Sequence, residues 1–164
     1  STDQKSGERC ILVERALEIL LNHSSVRKYT DKPVVAEIKE KIIESACMAP
    51  TSSHIQAYTI IEVVDEDKRR LLSEYAGGQK WVVNAPLLLL FCGDLHRARK
   101  FFNVANPDIY SNTELFSVAV IDTSLVAQKA LVTAQVMGLG GVFIGGIRNK
   151  VEHVSRLFNL PNLV

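Results

Sequence analysis

The 164-residue sequence lacks an excess of charge of either sign. Its 19 lysines and arginines nearly balance 18 aspartates and glutamates, which gives a formal net charge of +1. Domains that bind nucleic acid usually carry a strongly basic face, and no basic stripe stands out in this sequence. We therefore expect no nucleic-acid partner. The length of the chain predicts a single domain that is large enough to bury a hydrophobic core.

Cysteine is also scarce. The three cysteines, Cys10, Cys47 and Cys92, are far apart, and none belongs to a C-x-x-C motif. An odd number at scattered positions argues against a disulfide framework and is typical of a reducing compartment. The N-terminal stretch STDQKSGERC is too polar for a signal peptide. We expect a cytoplasmic protein whose residues 1–8 form a flexible tail.

The patterns of metal sites and of common hydrolases are missing. The four histidines have no i, i+4 partner and no carboxylate at metal-ligand spacing, so we expect no metal. No G-x-S-x-G motif is present, which argues against a serine hydrolase. Cys47 and Cys92 lie in apolar elements, where packing is a commoner role than nucleophilic attack. The sequence offers no candidate catalytic acid, base or nucleophile.

The hydrophobic patterns predict a mostly helical α+β domain in which helices sandwich a sheet of three or more strands. The predicted helices are residues 11–21, 35–48, 65–77, 95–102, 111–138 and 151–158. The predicted strands are residues 58–64, 86–92 and 141–144, and residues 103–110 are expected to form a loop.

The longest apolar stretch predicts a long central helix. Ser111 and Glu114 have the spacing of a capping box, which places the start of the helix there, and Gly138 ends it. Polar residues interrupt the stretch, so a buried helix is favoured over a membrane span. Its apolar residues lie on more than one side. That pattern fits a central core helix, a helix covered by a second subunit in a homodimer, or both.

Four short polar or glycine-rich segments separate these apolar elements. Small hydrogen-bond donors, a fixed cation and close backbone approach suit a bound, phosphorylated planar cofactor, and favour a flavin over a metal. The segments are His23–Arg27, Ala49–Ser53, Gly77–Lys80 and Gly138–Arg148.

Each segment alone also has a simpler interpretation. The first is compatible with a solvated loop, and Gly138 with a helix C-cap followed by tight packing at Gly140 and Gly141. The pair Gly145-Gly146 is compatible with a plain turn, although it would lie at a strand end where backbone amides can face a ligand. The run is not a dinucleotide-binding fingerprint, because Phe143 replaces the last glycine and a helix precedes it.

Taken in order, the four segments resemble the FMN-dependent nitroreductase family, and most of all its NADPH-preferring, oxygen-insensitive branch, which includes flavin reductases. The resemblance runs from about residue 23 to residue 161. It is carried by HSSVRKYTDKPV, SACMAPTSSHIQAYTIIEV, AGGQKWVVNAP and GLGGVFIGGIRNKVEHVSRLFNLP. It implies a single nitroreductase-like domain in residues 1–164, a homodimer, FMN as cofactor and NADPH or NADH as electron donor.

The resemblance assigns roles to the first segment. His23, Ser24 and Ser25 would contact the ribityl phosphate. Arg27 would lie near N1 and O2 of the isoalloxazine, where its positive charge would stabilise the charge that develops on reduction. The branch usually has arginine at the position of Ser24, so one phosphate cation is missing here.

The other three segments receive roles by the same resemblance. Thr51, Ser52 and Ser53 would contact the edge of the flavin or its phosphate from the partner subunit. Gln79 would hydrogen-bond the pyrimidine or the ribityl chain. The residues expected along the ring are Phe143, Ile144, Gly145 and Gly146.

The resemblance implies an FMN-dependent NAD(P)H oxidoreductase. It would reduce nitroaromatics, quinones or free flavin by ping-pong hydride transfer, with the flavin rather than a side chain at the centre of the chemistry. Members of the family are longer than this chain, which ends at Val164. The C-terminal part of the family fold is therefore expected to be absent. The alternative function is a truncated, non-catalytic flavin-binding or dimerisation module.

Overall fold

A computed structural model of the chain describes residues 13–102, 110 and 112–164. The predicted tail at residues 1–8 and most of the predicted loop at 103–110 lie outside the described residues. The described helices are α1 (residues 13–21), α2 (Ala36–Cys47), α3 (Glu66–Tyr75), α4 (Lys80–Asn84), α5 (His96–Phe102), α6 (Thr113–Val136) and α7 (Val151–Leu157). The described strands are β1 (Tyr58–Glu62) and β2 (Leu89–Gly93), and 3₁₀ turns occupy Ser52–His54 and Gly145–Lys150.

Local capping explains where two of these helices begin. Asp65 precedes α3, and its Oδ1 accepts a hydrogen bond of 3.0 Å from Lys68 N, which makes it the N-cap at the predicted start of this helix. At α6 the prediction was wrong by one residue. The N-cap is Asn112, whose Oδ1 accepts from Leu115 N at 2.8 Å, and the predicted cap Ser111 lies outside the described residues. Asparagine is as good a cap as serine, so the helix begins one residue later.

Gly138 ends α6, as predicted. Its φ of +80° is a conformation that other residues adopt only with strain. The turn lets Leu139 N donate to Ala134 O at 2.9 Å, which satisfies one of the last carbonyls of the helix. The chain then reverses towards residues 140–144.

The sheet has two antiparallel strands, with register from Tyr58 opposite Gly93 to Glu62 opposite Leu89, and α3 and α4 lie between them in the chain. The predicted third strand at 141–144 does not form. Within that stretch only Gly141 pairs, through one parallel bridge with Ser25. The backbone there packs closely against side chains instead of joining a ladder, because a Cβ at Gly141 would lie 2.8 Å from Leu131 Cδ1.

Helices cover both faces of this sheet, which confirms the predicted α+β sandwich. On one face, α2 and α6 form a cluster with strand residues Tyr58, Ile60 and Phe91. On the other face, α3, α4 and α7 pack around a second cluster that includes Leu88 and Leu90. Alternate residues of each strand thus face opposite layers of helices.

Helix α6 has 24 residues and is apolar enough to cross a membrane by length and composition. In this structure it packs against α2, β1 and β2 instead. The buried residues of α6 are Ala119, Asp122, Val126, Ala127 and Ala130. Its exposed large apolar residues are Phe116, Val120, Ile121, Leu125 and Val136. The described chain therefore covers only part of the helix, as its apolar pattern predicts.

Val63 and Val64 provide a matched test of the core. Val63 is 1 % exposed and packs in the second cluster, whereas Val64 is 72 % exposed. Val63→Ala should lower the free energy of unfolding by about 2 kcal/mol, since it removes buried methyl groups and leaves a cavity. Val64→Ala should change it by less than about 0.5 kcal/mol. Urea unfolding followed by circular dichroism measures both, and equal losses would contradict this assignment of the core.

Candidate functional site

The first and fourth polar segments lie against each other. Val26 N donates a hydrogen bond of 3.0 Å to Gly141 O, beside the Ser25–Gly141 bridge. A Cβ added at Gly140 would lie 2.6 Å from Val26 Cγ2, closer than real Cβ atoms approach. The absence of a side chain at Gly140 therefore allows the His23–Arg27 segment to dock on the chain that follows α6. His23 adds a contact of 3.0 Å between its Nδ1 and Gln135 Nε2.

The third and fourth segments also meet. A Cβ at Gly146 would lie 2.8 Å from Ala76 O and 2.9 Å from Gln79 Nε2. Gln79 Nε2 in turn donates to Ala76 O at 2.6 Å. Gly146 thus packs directly on the end of α3 and on the side chain predicted to hold a cofactor. The pair Gly145-Gly146 opens a 3₁₀ turn, and does not end a strand as predicted.

The first, third and fourth segments thus meet at one place, which we call the junction. Two arginines lie there. The guanidinium of Arg27 is 5.9 Å from the centroid of the Trp81 ring, a cation–π contact that orients an otherwise exposed side chain. Arg148 lies beside Gly145, because a Cβ built there would be 3.1 Å from Arg148 Nη2. Trp81 Nε1 is buried and has no hydrogen-bond partner in the described part of the chain. The junction therefore combines fixed positive charge, small residues and an unsatisfied donor.

A cleft of about 1160 Å³ opens beside the junction. Val26, Trp81, Phe143 and Arg148 are among its lining residues, and most of its other lining residues are apolar. A largely apolar cleft with a few convergent polar groups is typical of small-molecule sites. The sequence analysis assigns no specific role to Trp81 or Arg148. Trp81 directly follows the segment Gly77–Lys80, and Arg148 is the last residue of the segment Gly138–Arg148, so both positions could have been found from those segments.

The second polar segment lies elsewhere in the chain. Ser52 N donates to Asp122 Oδ1 at 3.1 Å, whereas His23 contacts Gln135. Asp122 and Gln135 are both on α6, and their spacing puts these contacts about 20 Å apart along the axis and on nearly opposite sides of the helix. One chain therefore brings together three of the four predicted segments and leaves Thr51–Ser53 apart.

Residues 51–57 have an unusual backbone. Ser53, His54 and Gln56 have φ values of 48°, 55° and 53°. A left-handed conformation costs a residue with a side chain about 1 kcal/mol or more, so surrounding contacts must hold the segment. Thr51 Oγ1 is buried without a hydrogen-bond partner in the residues that the structure describes. Asp122 is one of the polar residues that interrupt the apolar stretch of α6, and its neighbours in the sequence give no sign of its contact with this segment.

Two titratable groups in the described part of the chain have a pKa well above its ordinary value. Burial, and then the charge of Asp94, raises the pKa of the Cys92 thiol to about 11. Burial, followed by a hydrogen bond with Cys47, raises the pKa of Tyr58 to about 12. Both groups stay protonated at neutral pH, which fits packing roles for Cys92 and Tyr58 and gives neither a role in proton transfer.

The family model described as "Nitroreductase family" matches residues 20–164. The chain belongs to the nitroreductase family. Among curated relatives of this nitroreductase-family chain, the FMN reductase (NADPH) of Bacillus subtilis is 39 % identical over 155 residues, which are 93 % of this chain and 62 % of the relative. The oxygen-insensitive NADPH nitroreductase of Salmonella typhimurium is 38 % identical over 148 residues, which are 90 % of this chain and 60 % of the relative.

Solved structures agree with this membership. The NfrA1 nitroreductase from Bacillus subtilis superposes with a TM-score of 0.86 at 39 % identity, covering 90 % of this chain and 61 % of that one. The NADPH:FMN oxidoreductase of Vibrio harveyi, solved in complex with NAD⁺, gives a TM-score of 0.83 at 39 % identity, covering 89 % and 62 %. The nitroreductase-like fold predicted from the four segments is thereby confirmed. The chain spans about three fifths of the length of these relatives.

Adjacent glycines in the nitroreductase-family chain provide a test of the junction. Gly146→Ala should lower the free energy of unfolding by about 1–3 kcal/mol, because its Cβ would meet the backbone oxygen of Ala76. Gly145→Ala should cost clearly less, since its Cβ would meet only the flexible end of Arg148. Chemical denaturation compares the two variants. A larger loss for Gly145→Ala would show that Gly146 does not pack on α3 as described.

Proposed function

We propose that this chain binds FMN and acts as an NAD(P)H oxidoreductase, with nitroaromatics, quinones or free flavin as acceptors. The observation that carries the proposal is the packing of three cofactor-type segments on one another, around residues 23–27, 79 and 143–146, beside a cleft that Val26, Phe143, Ile144 and Gly145 help to line. The relatives support it, since they are named FMN reductase (NADPH), NADPH-flavin oxidoreductase, Cr(VI) reductase and oxygen-insensitive NADPH nitroreductase.

The residues at the junction fit FMN. The exposed hydroxyls of Ser24 and Ser25 can turn towards a phosphate, and the exposed ring of His23, whose Nδ1 contacts Gln135, would offer Nε2 to the same group. The spaces that Cβ atoms of Gly145 and Gly146 would fill hold Arg148, Ala76 and Gln79, so these glycines would meet a planar ring through their backbone amides. Phe143 and Ile144 offer apolar contact beside them. Gln79, already packed on Gly146, would donate to the pyrimidine or ribityl chain.

The role proposed for Arg27 is electrostatic. A bound FMN supplies hydride acceptance from NAD(P)H and hydride donation to the acceptor. The chain's own contribution is to bind and orient the reactants and to place charge near them. The Trp81 ring holds the Arg27 guanidinium in place before any ligand binds, so little reorganisation is needed when negative charge develops beside it.

We further propose that the functional unit is a cytoplasmic homodimer in which Thr51, Ser52 and Ser53 reach the flavin of the partner subunit. The separation of the Ser52 and His23 contacts along α6 supports this arrangement, because one chain does not bring both segments to one cleft. Uncovered apolar surface supports it as well. Leu17 and Leu20 on α1, and the exposed residues of α6 given above, remain open to solvent in a single chain.

Arg27→Ala tests the chemistry. The purified chain should retain a flavin spectrum after gel filtration with FMN, and this spectrum should bleach with NADPH. Bleaching should slow about tenfold or more in Arg27→Ala, through loss of the charge that stabilises the reduced state. Arg70→Ala is the control, because Arg70 is an exposed arginine paired with Asp67 on α3.

Stopped-flow absorbance of the flavin band measures the rates. Equal bleaching in the two arginine variants would refute the role of Arg27. Flavin that is retained but never bleached would favour the alternative, a non-catalytic flavin-binding module. Failure of the wild-type chain to retain FMN at all would refute the proposed function.

Ile121→Glu tests the dimer. Ile121 is 55 % exposed on α6, and a charge there would face the partner in the proposed interface. At micromolar concentration, light scattering should give the molar mass of a dimer for the wild-type chain and that of a monomer for Ile121→Glu. Val151→Glu is the control, because Val151 is similarly exposed but lies on α7. A monomeric wild type, or a dimeric Ile121→Glu, would contradict the proposed interface.

A further inference from the structure

The segment between α2 and β1 is held in a conformation that its own residues do not favour. Three residues within four positions, Ser53, His54 and Gln56, have positive φ although none is glycine. The segment also carries the hydroxyls proposed to reach the flavin. Such a backbone persists only where contacts from outside the segment hold it. The source of those contacts is therefore of functional interest.

One carboxylate binds both ends of the segment. Asp122 Oδ1 accepts from Ser52 N, and Oδ2 accepts from Ala57 N, both at 3.1 Å. The residue is 1 % exposed in the middle of α6. None of the ion pairs among the described residues involves it. A carboxylate buried without a cation depends on its hydrogen-bond donors, so Asp122 and the segment constrain each other.

A second side chain holds the carbonyl groups of the same segment. Arg97 on α5 donates from Nη2 to Gln56 O at 2.6 Å and to Tyr58 O at 3.0 Å. Its own backbone is fixed, because Arg97 N donates to Asp94 Oδ1 at 3.1 Å. Asp94 N also donates to Ala57 O at 2.9 Å. Backbone amides of the segment are thus held from α6, and its carbonyl groups from α5 and from Asp94 just before that helix.

We propose that Asp122, assisted by Arg97, is a positioning residue that fixes residues 51–57 so that Thr51, Ser52 and Ser53 are presented to the flavin of the partner subunit. The inference rests on the proposed function for the identity of the ligand, but the backbone restraint stands on the contacts alone. Neither side chain touches the cofactor in this arrangement. Their effect on flavin binding passes entirely through the segment.

Asp122→Asn is the sharpest variant. Asparagine keeps the volume but has one acceptor oxygen, so its amide group would face the N–H of either Ser52 or Ala57. Hydrogen exchange of residues 52–57, followed by mass spectrometry without FMN, should accelerate roughly tenfold. The Kd for FMN, from quenching of flavin fluorescence, should rise roughly tenfold.

Val154→Ala is the control for a loss of stability alone. Val154 is buried on α7, in the cluster on the face of the sheet opposite to α6. This variant should lower the midpoint of urea unfolding but leave both the local exchange and the Kd for FMN near the wild-type values. A core residue without a positioning role would behave in this way.

Arg97→Ala provides a second route should Asp122→Asn fail to fold. Arg97 is exposed, so its removal spares the core. The same two readouts should move in the same direction by a smaller factor. Arg99→Ala, an exposed arginine on the same helix, is the matched control and should leave both unchanged.

The outcomes separate the two proposals. Faster exchange together with weaker FMN binding in Asp122→Asn or Arg97→Ala, but not in the controls, supports the positioning role. Unchanged exchange in both variants overturns it. Faster exchange with an unchanged Kd overturns the link to the flavin. A wild-type chain that does not bind FMN refutes the proposed function and that link together, while the exchange comparison still decides the backbone restraint.

Discussion

The packing of α6 against α2 and the β1–β2 sheet is the constraint on which the rest of the structure depends. Val126 and Ala130 on α6 meet Ile42 and Ala46 on α2, and all four are almost fully buried. Alanine at two of these contacts allows the helix backbones to approach closely. Two residues of α6, about 20 Å apart along its axis, then fix two remote parts of the chain. Gln135 contacts the first polar segment, and Asp122 contacts the second.

Features encoded by neighbouring residues could be predicted from the sequence. Asp65 and Gly138 mark helix ends because a cap or a left-handed turn depends on a few adjacent residues. The prediction of a third strand was wrong for the opposite reason. A strand needs a pairing partner, and residues 141–144 have an apolar pattern but dock on Val26 and Leu131 instead. Their local pattern contains no information about that partner.

The candidate site divides in the same way. The polar segments were recognisable because each carries its donors, cation or glycines within a few residues. Their grouping was not, since the Ser52–Asp122 contact joins residues 70 positions apart and the His23–Gln135 contact joins residues 112 apart. Asp122 had no local signal beyond a charge within an apolar helix. Its function as an acceptor for two amides emerges only when the segment folds over it.

The division of the site along α6 has a thermodynamic consequence under the proposed function. If the flavin is held by the first, third and fourth segments of one chain and by the second segment of another, it binds the dimer more tightly than the monomer. A ligand that prefers one state stabilises that state by mass action, so cofactor binding and association must strengthen each other. The rigid backbone at residues 51–57 increases this coupling. A segment already held by Asp122 loses little conformational freedom when it meets the ligand, so less of the binding free energy is spent on ordering it.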